Sequence, residues 1–289
     1  MSELSLRLMT QADLGAVEEL RQLAGWNQTP EDWRRLLELE PQGCFLARLD
    51  GELAGTVTTT AYGRAIAWVG MMLVHPKFRR RGIATHLMGQ AVEYLRRRAV
   101  RSIRLDATPA GYPLYEKLGF VPEWTLTRCQ RPAQDGSPPS PLAAAPSTTR
   151  NLADADWEAV EQIDAAAFGA PRSRLLRGLA RHSLKALVWP ASQPAAGWGL
   201  LRPGANADYL GPLTCPRPQG AIALVTDLLR GTGNRPVVWD VPDGNQAAKA
   251  TAQRLGFAPI RSLTRMHLAP DAAASDPCAQ FAIADPALG

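Results

Sequence analysis

The residues with the plainest chemistry in this 289-residue chain run Val74-His75-Pro76-Lys77-Phe78-Arg79-Arg80-Arg81-Gly82-Ile83-Ala84-Thr85. An apolar, strand-like run ends at Pro76, three arginines follow, and Gly82 opens a helical pattern. A helix N-terminus already carries about half a positive charge and leaves four main-chain N–H groups without partners. Cations crowded there are unfavourable unless an anion sits against them. A phosphate at that point meets amides that already face it. Gly82 lacks a Cβ, so backbone and ligand can approach closely, and Ala84 keeps the next exposed position small. Arg79, Arg80 and Arg81 then become charge-assisted donors. The turn therefore predicts a polyphosphate ligand seated on Gly82, Ile83, Ala84 and Thr85. It is neither a nucleotide P-loop nor a dinucleotide fingerprint, because GxxxxGK(S/T) and GxGxxG are both missing here.

The flanking elements follow from periodicity. Leu4–Leu8 alternates apolar and polar residues, as a half-buried strand does. Thr10 caps a helix with the stripe Leu14, Val17, Leu20 and Leu23, stopped at Gly25. Thr29-Pro30-Glu31-Asp32 is a second helix start: a capping threonine, proline at the first helical position, acids at the positive end. Strands are predicted at Cys44–Leu49, Glu52–Tyr62 and Ala65–Val74, with Asp50-Gly51 as a hairpin turn. A long helix runs from Gly82 to about Arg98 and buries Ile83, Leu87, Met88, Ala91 and Leu95. Ser102–Ala107 is a strand, Tyr112–Leu118 a short helix ending at Gly119, and Phe120 opens a last strand.

Residues 131–146 contain five prolines and no hydrophobic period, and read as a linker. Beyond it the pattern returns. Trp68–Val74 resembles Tyr209–Cys215, Arg104–Pro109 resembles Val238–Pro242, and Leu118-Gly119-Phe120 recurs as Leu255-Gly256-Phe257. Three matches in the same order predict a duplicated fold, with units at 1–130 and 147–289 joined by 131–146. Two copies exclude a long repeat array.

Arg79-x-x-Gly82-x-Ala84 resembles the Q/R-x-x-G-x-G/A motif of the GNAT superfamily of N-acetyltransferases, which wraps the pyrophosphate of coenzyme A. The strand ending in Val-His-Pro, the amphipathic helix and the later Leu114-Tyr115-Glu116-Lys117-Leu118-Gly119-Phe120 match that superfamily in order. The resemblance implies an α+β fold of two GNAT-like domains, each a mixed, largely antiparallel twisted sheet flanked by helices. It implies acetyl-CoA as cosubstrate, with the pantetheine arm paired to backbone groups near Met72, Leu73 and Val74. Tyr115 would protonate the leaving thiolate, and Thr108 stands where many relatives place an asparagine that bonds the coenzyme. Asp106, at the end of a strand bordering the site, either takes the amine proton through water or braces the turn. His75 is read as structural. The loop after the first helix lies over the acceptor cleft, so Trp26 and Asn27 are candidate substrate contacts; Trp26 as a core plug is the alternative. The second copy departs from the motif: it has Pro216-Arg217-Pro218-Gln219-Gly220-Ala221 in place of the arginine turn and no tyrosine in its short helix. One acetyl-CoA site, in the first unit, is therefore expected.

The chain has a formal net charge of +5 and scattered cysteines at 44, 129, 215 and 278, with no pair at metal-binding spacing. No metal is expected. Neither a secretory signal nor a membrane span is apparent, and a cytoplasmic protein is expected. Arginine runs alone, without interleaved aromatics or a recognition motif, do not make a nucleic-acid binder. The reading is an acetyl-CoA-dependent N-acetyltransferase acting on an amine of a small molecule or protein, by direct attack through a tetrahedral intermediate. The alternative is an acyl-CoA-binding sensor with little or no catalysis. Oligomeric state is open, a homodimer included.

Overall fold

Leu4–Leu8 forms β1, at the outer edge of the sheet, with Leu4 and Leu6 half-buried and Ser5 exposed between them. The computed structural model of the chain describes residues 3–133, 147–192, 194–232, 234–268 and 275–289. Most of the expected linker, 134–146, lies outside the described residues.

The first half continues with α1 (Leu14–Leu23), α2 (Pro30–Leu39), β2 (Cys44–Leu49), β3 (Glu52–Tyr62), β4 (Ile66–Val74), α3 (Ile83–Arg97), β5 (Ser102–Ala107), α4 (Tyr112–Lys117) and β6 (Val121–Arg131). Local chemistry sets the boundaries. The Thr29 hydroxyl accepts from Asp32 N at 3.3 Å, and the Asp32 carboxylate accepts from Thr29 N at 2.8 Å, a reciprocal cap on α2. Gly25 ends the first helical segment at φ +65°. The five expected stripe residues of α3 are all buried.

The second half repeats the plan with β7 (Arg150–Asn151), α5 (Trp157–Phe168), α6 (Ser173–Arg181), β8 (Lys185–Trp189), β9 (Gly197–Arg202), β10 (Asp208–Thr214), α7 (Pro218–Leu229), β11 (Val237–Pro242), α8 (Gln246–Arg254) and β12 (Ala258–Leu268). The repeat marks coincide: β4 corresponds to β10 and β5 to β11. Gly119 and Gly256 close the short helices at φ +87° and +79°, a backbone region that favours glycine. A last strand, β13 (Gln280–Ala282), follows.

The sheet order is β1-β2-β3-β4-β5-β12-β6-β11-β10-β9-β8-β7, with β13 on β10. Among the described residues, only the β4/β5 and β10/β11 pairs are parallel. Each half lends one strand to the other, β6 from the first and β12 from the second. β12 lies between β5 and β6, and β6 lies between β12 and β11, so the two mixed sheets join edge to edge. Two buried ion pairs fasten the exchange. Arg265 on β12 reaches Asp106 on β5 with two bonds of 2.9 Å, and Arg128 on β6 reaches Asp240 on β11 at 2.8 and 2.6 Å. These pairs are related by the duplication. On one face of the sheet, α1, α2, α5 and α6 share a core that includes Trp33, Trp68, Phe168 and Trp198. On the other, α3 covers the first half and α7 the second.

Candidate active site

β4 and β5 pair only through Ile66–Trp68 with Ser102–Arg104. Beyond Trp68 they part, and the groups of Gly70–Val74 that face β5 have no partner there. A cleft of about 650 Å³ opens along this gap and runs to the start of α3. The parting has a local cause. Between Thr56 and Thr58 of β3, β4 carries one extra residue, and Met71 takes φ +46°. Such a bulge bends the strand away from its neighbour. The Thr56 hydroxyl donates to Met71 O at 2.8 Å and holds the bulge in place.

At the far end, Gly82 caps α3 at φ +77° and Arg80 sits at φ +61°. Among the described residues, the main-chain N–H groups of Gly82, Ile83, Ala84 and Thr85 have no acceptor. Arg80 and Arg81 are exposed and face no carboxylate within ion-pair distance among those residues, while Lys77 is paired with Glu52 at 2.8 Å. Four orphan donors, a left-handed turn and unneutralised guanidinium groups fit a diphosphate on the physics alone.

Tyr115 on α4 lines the cleft, with its ring edge-on to Phe120 at 6.1 Å. Burial pushes its hydroxyl up to about 12, and no bond from that hydroxyl is made to a described residue. Thr108 Oγ1 accepts from Gly111 N at 3.2 Å, which leaves its proton free to point at a ligand. His75 Nδ1 accepts from Lys77 N at 3.2 Å and holds the turn after β4.

The cleft gathers Trp26, Met72, Leu73, Val74, Arg79, Arg80, Gly82, Ile83, Ala84, Thr85, Asp106, Thr108 and Tyr115. Arg81 and Asn27 take other positions, and Asp106 borders the cleft without its carboxylate. Arg81 is not among the cleft-lining residues; its guanidinium lies 5.9 Å from the Phe78 ring. Asn27 is spent on the second half: its amide donates to Ala207 O, and its Oδ1 accepts from Asn206 N and Ala207 N, all at 2.9 Å. It braces the cleft and has little left for a substrate. Asp106 has both oxygens on Arg265, whose guanidinium also lies between Trp68 and Trp124 at 4.3 and 4.1 Å. Burial pushes the Asp106 carboxyl up against the pull of Arg265. Its side chain is fully enclosed, so what borders the cleft is its main chain. The Asp106 carboxylate ties β5 to the exchanged β12, and the equivalent Asp240 ties β11 to β6.

Sequence reasoning missed part of the lining of the cleft. Gln28, Arg128, Arg261, Leu263, Pro286 and Ala287 all line it. Pro286 and Ala287 belong to a tail that runs from β13 into the first half. Trp68 Nε1 donates to Pro286 O at 3.0 Å, Tyr62 Oη to Leu288 O at 2.7 Å, and Gln28 Nε2 to Asp285 at 2.9 Å. A Cβ on Gly70 would stand 2.5 Å from Ala287 O, so glycine is required for this approach. The apolar run Phe281-Ala282-Ile283 was the available signal.

The second half has the same parting between β10 and β11, but it is filled. β13 pairs with β10 at Leu213 and Thr214, Trp239 Nε1 donates to Phe281 O at 2.7 Å, and Ile283 N reaches Asp240 O. Pro212 stands where Met71 does and has no N–H to offer. At the start of α7, Gly220 is buried, and a Cβ there would lie 2.5 Å from the Trp189 ring. Among the described residues, the start of α7 lacks the open approach that Gly82 gives α3.

A bulged strand, a parted parallel pair and an open helix start meet on one cleft, and the comparisons identify the fold as that of an acetyltransferase. The acetyltransferase (GNAT) family model matches residues 14–120, and an acetyltransferase (GNAT) domain model matches 160–282. An acetyltransferase of Pectobacterium atrosepticum is 31% identical over 140 residues, 46% of this chain and 98% of its own length. The uncharacterized N-acetyltransferase YitH of Bacillus subtilis is 25% identical over 236 residues, 81% of this chain and 80% of that protein. A candidate acetyltransferase from Pyrococcus horikoshii, 25% identical, superposes with a TM-score of 0.83 over 99% of this chain and 96% of that one. A tandem GNAT protein from the clavulanic acid biosynthesis pathway shares the fold at a TM-score of 0.65, with 18% identity, over 93% of this chain and all of its own. The chain belongs to the GNAT acetyltransferase family, with two GNAT-like domains, and is an N-acetyltransferase. Among the described residues no helix is long and apolar enough to cross a membrane, and no cluster of three metal-ligating side chains occurs.

Proposed function

We propose that the first half transfers an acetyl group from acetyl-CoA to an amine by direct attack, while the second half serves as scaffold. The observation that carries this reading is that the Met71 bulge, the orphan N–H groups of α3 and the Tyr115 hydroxyl open on a single cleft. Acetyl-CoA supplies the activated thioester. The N–H groups of Gly82–Thr85 and the guanidinium groups of Arg79 and Arg80 hold its diphosphate; Arg81 adds field strength from the rim. The free main-chain groups of Met72–Val74 pair with the pantetheine arm. An N–H aimed at the thioester oxygen from this bulge stabilises the charge that develops during attack, an effect typically of about 2.7–4 kcal/mol per donor.

The amine nitrogen bonds to the acetyl carbon, the C–S bond breaks through a tetrahedral intermediate, and the departing sulfur takes up negative charge. Tyr115 donates to that sulfur. A hydroxyl near 12 facing a thiol near about 8.5 makes full proton transfer uphill by about 5 kcal/mol. Its contribution is therefore a hydrogen bond that strengthens as the C–S bond breaks. With Asp106 committed to Arg265 and His75 to Lys77, the acceptor enters as the free base and loses its remaining proton through the open mouth of the cleft.

The test is turnover against an amine panel with wild type and Tyr115→Phe, alongside calorimetric binding of acetyl-CoA. A large loss of turnover with coenzyme affinity retained supports the reading. Tight coenzyme binding with no acetylation of any amine would make the protein an acyl-CoA-binding module instead.

A further inference from the structure

Side chains on β12 and β6 oppose one another across the sheet as Arg265 with Trp124, Leu263 with Leu126, and Arg261 with Arg128. The first row is closed by Asp106, and the last continues to Asp240 on β11. Asp240 is used up. Arg128 takes both its oxygens, and Tyr209 Oη also donates to Oδ2 at 2.9 Å. Arg261 is the surplus cation. Like charges directly opposite on a sheet repel. Among the described residues its guanidinium has no hydrogen-bond acceptor, and its Nε is buried without a partner. Burial and Arg128 push its pKa down, with Asp240 and Asp285 pulling back only in part. Asp285 is itself engaged by Gln28 Nε2 and Ala287 N. Arg261 lines the cleft and also an adjoining pocket of about 270 Å³, the two meeting at Trp26.

A second group in the cleft lacks its complement. Gln28 is 8% exposed and lines the cleft, and its Oε1 is buried without a donor. The orientation of the amide follows from the bond of Nε2 to the Asp285 carboxylate, which accepts only. One wall of the cleft thus offers an unmatched cation. A single guanidinium presents a planar fork and one charge, which suits a carboxylate.

We propose that the acceptor is a small amine that also carries a carboxylate, with Arg261 taking the carboxylate. This rests on the cleft being the acetyl-transfer site, so coenzyme binding is measured separately.

The experiment compares the twenty amino acids and γ-aminobutyrate with their carboxamides as acceptors, following thiol release from acetyl-CoA. Wild type is expected to favour a carboxylate form by about 10- to 100-fold in kcat/KM, expressed in KM, as for loss of a hydrogen bond to a charged group. Arg261→Gln erases that preference, Arg261→Lys restores part of it, and both bind acetyl-CoA as wild type does in calorimetry. Because Arg261 holds no protein partner, its removal leaves the melting temperature near that of wild type. Equal or better use of the carboxamides by wild type, a preference that survives Arg261→Gln, or no acetylation of either set despite coenzyme binding overturns the proposal. Failure of wild type to bind acetyl-CoA would instead remove the reading of the cleft on which it stands.

Discussion

Replacing Gly82 by glutamate tests the anion seat separately from the other roles of the turn. Gly82 has φ +77°, where an L-residue meets strain of about 1–2 kcal/mol. Asparagine tolerates this region best and is the matched control. A Cβ at Gly82 would meet only the His86 ring, at 3.6 and 3.7 Å, so there is room for either side chain. A carboxylate about 5 Å from a bound phosphate charge repels it by about 0.8 kcal/mol in bulk water and by about 3 kcal/mol near a protein surface. Gly82 is exposed, and the diphosphate carries more than one charge. An intermediate value of about 1.5–3 kcal/mol follows, a loss of about 10- to 150-fold in acetyl-CoA affinity for Gly82→Glu relative to Gly82→Asn. Without ligand the sign reverses. A carboxylate at a helix N-terminus gains about 0.3–1 kcal/mol, so free Gly82→Glu should melt no lower than free Gly82→Asn. Calorimetric titration and thermal melts read both effects. Equal affinity in the two variants would mean that the phosphates sit elsewhere.

Tyr115→Phe should lower kcat by roughly a hundredfold with little change in acetyl-CoA affinity, as measured by steady-state kinetics and calorimetry. The same hydroxyl sets a pH expectation. An acid held near 12 stays protonated through the working range, while an amine near about 10.4 must be deprotonated. kcat/KM should therefore climb with pH toward 10, and a decline below that point that disappears in Tyr115→Phe would mean that the hydroxyl titrates well below 12. Asp106→Asn leaves Arg265 buried without its charge partner and should cost about 3–5 kcal/mol in chemical denaturation; the pH profile of the surviving folded enzyme should keep its shape, whereas loss of its rising limb would make Asp106 the base. Phe281→Ala empties part of the filled gap in the second half and should destabilise by about 3–5 kcal/mol, without raising the number of acetyl-CoA sites above one by equilibrium dialysis.

The features legible in the sequence were those set by neighbours along the chain. The arginine turn, the apolar stripe of α3, the Thr29-Pro30 cap and the Leu-Gly-Phe closures all encode local geometry, and the duplication repeats them. Pairing between distant strands is not encoded that way. β6 and β12 carry side-chain alternation that would look the same whichever half they joined, so the exchange was hidden. It left one trace, because Asp106 and Asp240 recur in register and each has an arginine on the lent strand. Asn27 was a reasonable substrate candidate by position in its loop, but the loop turns its amide onto residues 206–207 of the other half. Gln28 and Arg261 line one cleft only through the exchanged β12, and the tail at 285–288 reaches that cleft after β13 fills the gap beside β10. None of these has a spacing rule that reads from one segment.

The central claim is that one coenzyme lies in the first half, its diphosphate on the main-chain nitrogens of Gly82–Thr85 and its pantetheine arm along Met72–Val74. A crystal structure of the acetyl-CoA complex tests it most directly. The account predicts phosphate oxygens within hydrogen-bond distance of those nitrogens, the thioester sulfur beside the Tyr115 hydroxyl, and β13 still in place on β10. A coenzyme bound with the α3 start empty, or seated between β10 and β11 with β13 displaced, would contradict it.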